Sequence, residues 1–140
     1  PEDGAQRTNS IGQGLAILLG VGPEDDERAS AKLAQKVATL RIFADADGKF
    51  NRSLEDVHGE ALVVSQFTLY ADTSRGRRPS FISAGDPARA DHLYQHFARE
   101  LSDRGTPVQT GSFGAHMTVS IENDGPVTIV LSTDAWPTSV

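Results

Sequence analysis

The stretch Ala61-Leu62-Val63-Val64-Ser65-Gln66-Phe67-Thr68-Leu69-Tyr70 is the densest strand signal in the chain, and the elements on either side of it decide the fold class. Its apolar, β-branched and aromatic residues predict a strand. Upstream, Asn51-Arg52-Ser53-Leu54 with Glu55-Asp56 reads as a loop or short helix, Asp45-Ala46-Asp47-Gly48 as a turn and Arg41-Ile42-Phe43 as extended chain. Before them Leu33, Val37 and Leu40 recur at helical spacing, flanked by Ala34 and Ala38, with Asp25 or Asp26 placed to cap. Earlier still, Leu15-Ala16-Ile17-Leu18-Leu19 is a short apolar run bounded by glycines and ended by Gly22-Pro23, which reads as a buried strand. The opening from Pro1 to Ser10 is polar and turn-rich.

Downstream, Asp72 to Ser80 is a loop in which Arg75, Arg77 and Arg78 form the chain's one cluster of positive charge. Pro87 sits at the first turn of a second helix, whose stripe is Ala90, Leu93, Tyr94, Phe97 and Leu101 and whose end is marked by Gly105 and Pro107. Three strand candidates follow: Val108 to Thr110, His116 to Glu122 with alternating Met117, Val119 and Ile121, and Val127 to Leu131. The tail from Ser132 to Val140 is polar. The order β, α, β, β, α, β, β predicts a mixed α/β (α+β) fold, with a largely antiparallel sheet or barrel-like core and two helices packed on one side. Residues 1–140 read as a single domain.

The 140 residues carry 13 Lys and Arg against 19 Asp and Glu, a net charge of −6, which argues against indiscriminate coating of nucleic acid but permits a local basic patch. No cysteine is present. Disulfide scaffolds, thiolate zinc sites and cysteine nucleophiles are thereby excluded. No apolar run approaches the roughly 20 residues that span a bilayer, and no basic-then-apolar leader opens the chain, so a cytoplasmic protein without membrane contact is expected. Met117 is the sole methionine and the chain opens on Pro1, so the natural N-terminal segment is expected to lie outside this sequence.

Several signals fail on inspection. Gly12-Gln13-Gly14 and Gly20-Val21-Gly22 each lack the third glycine of a dinucleotide loop and are read as structural turns. Asp45-Ala46-Asp47-Gly48 places its glycine at the fourth position of the loop, where a calcium loop needs it at about the sixth. His92 and His96 are four residues apart but stand at the edge of the helix's apolar face, without a glutamate in zincin order, and read as solvated. No metal or cofactor is expected. Ser65 and Thr68 are hydroxyls near the end of an apolar strand, yet no histidine is visibly paired to either, so a Ser-His-Asp triad is not arguable. Asn123-Asp124-Gly125-Pro126-Val127-Thr128 stands out, because a Gly-Pro amide can be cis and aim two consecutive carbonyls into a cleft.

Four motifs, Ser65 to Asp72, Gly76 to Phe81, Thr110 to Met117 and Asn123 to Thr128, together resemble the D-aminoacyl-tRNA deacylase family, formerly D-tyrosyl-tRNA deacylase. The resemblance covers nearly all of Ile11 to Leu131. It implies hydrolysis of the ester between a D-amino acid and the terminal adenosine of tRNA, by a homodimer with active sites at the subunit interface. Carried over, Ser65, Gln66, Phe67 and Thr68 line the ester pocket, and Gly125 and Pro126 enter the partner's pocket as a cis pair. Phe113 helps to hold the adenosine, and Asn123 and Met117 complete the substrate-binding set.

Two backbone carbonyls that accept from the substrate's α-amino group and leave no room for an L side chain would select by exclusion. For the chemistry, the resemblance leaves Thr68 as nucleophile or backbone amides near Phe67 and Thr68 as an oxyanion hole, with the ribose 2′-hydroxyl activating water. The second is preferred, since Thr68 lacks a base. With an RNA substrate, Arg75, Arg77 and Arg78 become phosphate contacts.

Family members begin with a strand whose Gln-Arg pair supports the cis-Pro loop; Gln6-Arg7 lies too close to Ile11 to be that pair, so the role is not transferred. Two alternatives are a related deacylase clearing glycyl- or L-alanyl-tRNA and a non-catalytic tRNA-binding module of the same fold.

Overall fold

Asp26 and Asp86 start the two helices, each carboxylate accepting a hydrogen bond from the amide three residues on: Ala29 at 2.9 Å and Arg89 at 3.2 Å. These bonds satisfy donors that a helix start leaves open, and Pro87 occupies the first turn where its missing N–H costs nothing. In the computed structural model, which describes residues 7–134, the chain runs β1 (Gly14–Leu19), α1 (Glu27–Thr39), β2 (Phe43–Ala44), β3 (Phe50–Arg52), β4 (Glu60–Ser65), α2 (Pro87–Asp103) and β5 (Val108–Thr110). Most of the polar tail and the first part of the opening loop, including Gln6, lie outside the described residues.

The main sheet has the order β1-β4-β5 and is parallel throughout, with Leu15 opposite Ala61, Leu19 opposite Ser65, and Val63 opposite Thr110. This corrects the expectation of a largely antiparallel sheet. The physical reason is in the connections: β1 reaches β4, and β4 reaches β5, through helix-bearing crossovers, and only parallel strands need such connections. Among the described residues the antiparallel ladder is the β2–β3 hairpin, whose turn is held by the Asp45 carboxylate accepting from the amides of Asp47 and Lys49 at 2.9 and 3.0 Å, with a lone antiparallel bridge between Asp72 and Ser80. Among the described residues neither sheet closes on itself, so a barrel-like core is not found there.

Both crossovers step in the same direction across the sheet, and the usual handedness of such units lays both helices on one face. Two helices packed on one side is the arrangement found. Leu19, Ala61 and Val63 point into a core with Ala34, Val37 and Ala38 of α1 and Tyr94, Phe97 and Leu101 of α2. Of the stripes that predicted the helices, Val37, Leu93, Tyr94, Phe97 and Leu101 are buried, and Leu33, Leu40 and Ala90 are half-buried.

Two further strand candidates do not form ladders. His116–Glu122 and Val127–Leu131 run as non-strand chain, with Val119, Ile121, Ile129 and Val130 exposed, because no neighbouring strand among the described residues takes their hydrogen bonds. Between them and the sheet's second face lies an open cleft of about 1800 Å³, lined among others by Leu18, Leu62, Met117, Ile121 and Ile129.

Candidate active site

In a parallel sheet the carboxyl ends of the strands are where the chain turns away and leaves room for a ligand. Here the ends of β1, β4 and β5 lie side by side, and they carry Gly20 to Gly22, Ser65 to Tyr70 and Gly111 to Phe113. The expected strand through Tyr70 is corrected at this point: it stops at Ser65. The Gln66 amide makes a last bond to the Leu19 carbonyl at 2.8 Å, and Phe67–Tyr70 then folds into a single 3-10 turn. That turn places Phe67 and Thr68 on the surface, where a β-strand would have alternated them in and out.

Within the turn, the Gln66 side-chain amide donates to the Thr68 hydroxyl. The turn's own bonds run from the Leu69 amide to the Gln66 carbonyl at 3.2 Å and from the Ala71 amide to the Thr68 carbonyl at 3.0 Å. The amides of Phe67 and Thr68 have no acceptor among the described residues. No histidine or carboxylate contacts Thr68 there either.

The Phe67 ring is 57 % exposed and meets the Phe81 ring edge-on at 5.0 Å and 70°. Phe81 follows the arginine loop, whose ends are tied by a two-bond bridge, Asp72 amide to Ser80 carbonyl at 2.7 Å and Ser80 amide to Asp72 carbonyl at 2.9 Å. Arg75, Arg77 and Arg78 are exposed on the loop so closed. Hydrogen bonds from the Ser74 hydroxyl and amide, with the Arg75 charge nearby, hold the Asp72 carboxyl below its ordinary range. It stays ionised and fixes the loop's first turn.

Met117 lies over the end of the sheet. A Cβ on Gly111 would come within 2.6 Å of the Met117 sulfur, so glycine lets the Met117 side chain lie directly against this backbone, and a larger residue would push that side chain aside. Phe113 packs on Tyr94 with ring centroids 6.0 Å apart, at the margin of the core. Asn123 is placed as a clasp: its carbonyl oxygen accepts from the Val127 amide and its NH₂ donates to the Thr128 hydroxyl, both at 3.0 Å. The loop thus held carries Gly125-Pro126, a cis peptide. Gly125 has φ +136, and a Cβ there would meet Val127 Cγ2 at 2.7 Å, so no other residue fits without strain. Among the described residues, no hydrogen bond or ring contact joins Gly125-Pro126 to Ser65 to Thr68 of the same chain. The structure therefore brings Phe81 to the turn that carries Ser65 to Thr68, sets Met117 beside Gly111 on the cleft that Gly125 also lines, and leaves Gly125-Pro126 exposed.

His92 is exposed and bonded to Glu27 at 2.8 Å, while His96 is half-buried between the Ser30 hydroxyl at 2.9 Å and Glu100 at 3.4 Å. They tie the helices together. Among the described residues no cluster of three or more metal-ligating side chains occurs, and no helix is long and apolar enough to cross a membrane.

Two features escaped the sequence reading. In sequence Phe81 is the end of an arginine motif and Gly20-Val21-Gly22 a turn; in the fold Gly20 to Gly22 follow the carboxyl end of β1, and Phe81 reaches the turn after β4 through its ring contact with Phe67.

The D-Tyr-tRNA(Tyr) deacylase family model matches residues 3–132. The chain is 60% identical over 128 residues to the D-aminoacyl-tRNA deacylase of Roseiflexus sp. (strain RS-1), covering 91% of this chain and 83% of the relative. It is 57% identical over 122 residues to that of Idiomarina loihiensis (strain ATCC BAA-735 / DSM 15497 / L2-TR), covering 87% and 84%. Among solved structures, the c-Myc DNA unwinding element binding protein superposes with a TM-score of 0.87 at 38% identity, over 94% of this chain and 90% of that one. A probable eukaryotic D-amino acid tRNA deacylase superposes with a TM-score of 0.65 at 16% identity, over 76% and 77%, a likeness of fold.

Proposed function

The chain belongs to the D-Tyr-tRNA(Tyr) deacylase family, and from that premise we propose how its residues divide the work of the reaction. The protein is a D-aminoacyl-tRNA deacylase, a hydrolase of the ester bond between a D-amino acid and the 3′-terminal adenosine of tRNA. In our reading the ester carbonyl sits at the turn after β4. The open amides of Phe67 and Thr68 stabilise the oxyanion that forms when water attacks, and the substrate's ribose 2′-hydroxyl helps to activate that water. An aminoacyl ester is already activated, so positioning plus about one oxyanion hole supplies much of the needed acceleration. Thr68 is a lining residue, because its hydroxyl is engaged by an amide that donates hydrogen bonds and takes no proton.

The Gly125 and Pro126 carbonyls accept from the substrate's α-amino group in the partner subunit's pocket, and discriminate by excluding an L side chain. What supports this is that, among the described residues, Gly125-Pro126 is exposed and joined to Ser65 to Thr68 by no hydrogen bond or ring contact: each chain supplies two half-sites, which a homodimer completes. Phe113 and Met117 bound the pocket for the terminal adenosine and the amino acid, and Arg75, Arg77 and Arg78 contact phosphates without reading sequence.

The observation that carries the reading is the pair of amides, at Phe67 and Thr68, that find no acceptor among the described residues, beside a Thr68 hydroxyl that meets the Gln66 amide and no base among them. The test is incubation of the full-length protein with matched D- and L-tyrosyl-tRNA, with a chelator in a parallel reaction. Selective, chelator-resistant loss of the D ester is expected. Equal loss of both would refute selection by exclusion, and loss of neither would favour a binding module.

A further inference from the structure

Gly20 and Gly22 bracket one aromatic ring. A Cβ on Gly20 would sit 3.0 Å from Cε2 of Tyr70, and one on Gly22 would sit 2.9 Å from its hydroxyl and 3.1 Å from Cε1. Neither glycine has a positive φ, so what they provide is room for the ring. Gly85 closes the next layer: its amide donates to the Val21 carbonyl at 2.9 Å, and a Cβ there would meet the Val21 and Gly22 carbonyls at 3.0 Å.

The hydroxyl end of the ring is prepared as well. Asp25 lies beside it, with its own carboxylate held by the Gly22 amide at 2.8 Å and its carbonyl accepting from Nε of Arg89 at 2.9 Å. Burial, together with the charges of Asp25 and Asp134, pushes the Tyr70 hydroxyl up to about 12. It is a permanent donor at neutral pH.

Tyr70 is the last residue of the turn that presents Phe67 and Thr68. The turn is therefore pinned at both ends to one short segment: at its entry by the Gln66 amide on the Leu19 carbonyl, and at its exit by the Tyr70 ring on Gly20 and Gly22. We propose that Tyr70, seated on Gly20 and Gly22, is a positioning residue for deacylation that sets where the Phe67 and Thr68 amides point. The inference rests on the reading of that turn as the ester site. It assigns Gly20-Val21-Gly22 the job of a seat, with no cofactor loop involved.

The experiment compares single-turnover kcat and KM for D-tyrosyl-tRNA in the full-length wild type, Gly22→Ala, Tyr70→Phe and their double variant, with melting curves for each. A methyl group at Gly22 displaces the ring. A misplacement on the scale of 1 Å lowers kcat by about 10²-fold, with KM for the tRNA unchanged. Tyr70→Phe removes the atom that the new Cβ meets first, so the double variant is expected to recover part of that loss, a non-additivity reserved for residues in contact. Wild-type kcat in Gly22→Ala, or a loss that Tyr70→Phe does not relieve, would overturn the proposal. Should Gly22→Ala fail to fold, Tyr70→Leu empties the seat without a clash and carries the same expectation of lowered kcat at constant KM; unchanged kcat there overturns it. A wild type inactive on the D ester would overturn the deacylase reading itself, whereas an active wild type with indifferent variants removes only the seat.

Discussion

The side-chain amide of Gln66 donates a hydrogen bond to the hydroxyl of Thr68, so the hydroxyl of the turn after β4 is met by a donor, with no base beside it among the described residues. A nucleophilic threonine needs a neighbour that takes its proton. Gln66 cannot do so. Thr68→Ala is accordingly expected to lose about one neutral hydrogen bond, roughly 1 kcal/mol or about fivefold in kcat. Loss of a true nucleophile costs on the order of 10⁶. Single-turnover deacylation of D-tyrosyl-tRNA separates the two: a collapse to background would restore Thr68 as nucleophile.

Asn123 holds the Gly125-Pro126 loop through two bonds, to the Val127 amide and the Thr128 hydroxyl, on a surface where little else restrains it. Both groups remain solvated when the clasp is cut, so Asn123→Ala is expected to leave the melting temperature nearly unchanged. Activity is a different matter, since a misplaced loop of this kind costs about 10²-fold. The measurement is kcat/KM on both D- and L-tyrosyl-tRNA, and the D-to-L ratio is expected to fall. A preserved ratio would show that Asn123 acts elsewhere.

The helices were legible because burial writes itself as period: Leu93, Tyr94, Phe97 and Leu101 are apolar in sequence and buried in the fold. The parallel sheet was harder. Strand direction is set by connections, and the crossovers through α1 and α2 carry that information only when their helices are counted as links between neighbouring strands. Alternation misled at Met117, Val119 and Ile121, because a period of two says that a segment could pair, and pairing also needs an open edge. At the site, Ser65 to Thr68 were found by motif, yet their local shape was misread as strand. The turn depends on Tyr70 reaching glycines some fifty positions earlier in the chain, a contact that no local pattern announces.

Arg75, Arg77 and Arg78 stand exposed on a loop whose ends are tied at Asp72 and Ser80, so their replacement should not disturb the fold. If each neutralises one phosphate of a single strand, replacing all three with alanine lowers the slope of log KM against log salt by about 2, at about 0.7 per contact. kcat at saturating tRNA is expected to hold. A salt slope equal to that of the wild type would assign the arginines to solubility alone.

The Tyr94 hydroxyl reaches the carbonyls of Val63 and Gly111 at 3.2 and 3.1 Å, linking β4 to the segment after β5 from inside the core. Tyr94→Phe keeps the ring and takes the donor from the Gly111 carbonyl, while the Val63 carbonyl keeps the Gly111 amide at 3.1 Å; the loss costs about 1 kcal/mol. Urea unfolding should show the midpoint lowered with an unchanged slope. An unchanged midpoint would mean that the Gly111 carbonyl finds another donor.

The chain has two tyrosines, and burial raises both hydroxyls above their ordinary value, Tyr70 to about 12. In the unfolded chain both ionise near pH 10. Because the folded values are the higher ones, the stability they contribute is fully present below the unfolded value of about 10, and is lost as pH rises through the folded values. Tyrosinate absorbance of the native protein is therefore expected to rise at higher pH than that of the urea-unfolded chain, which titrates near 10, with the Tyr70 part appearing toward pH 12. With Tyr94→Phe the signal belongs to Tyr70 alone. If that single tyrosine ionises near pH 10 in the folded variant, its ring is not seated on Gly20 and Gly22 beside Asp25.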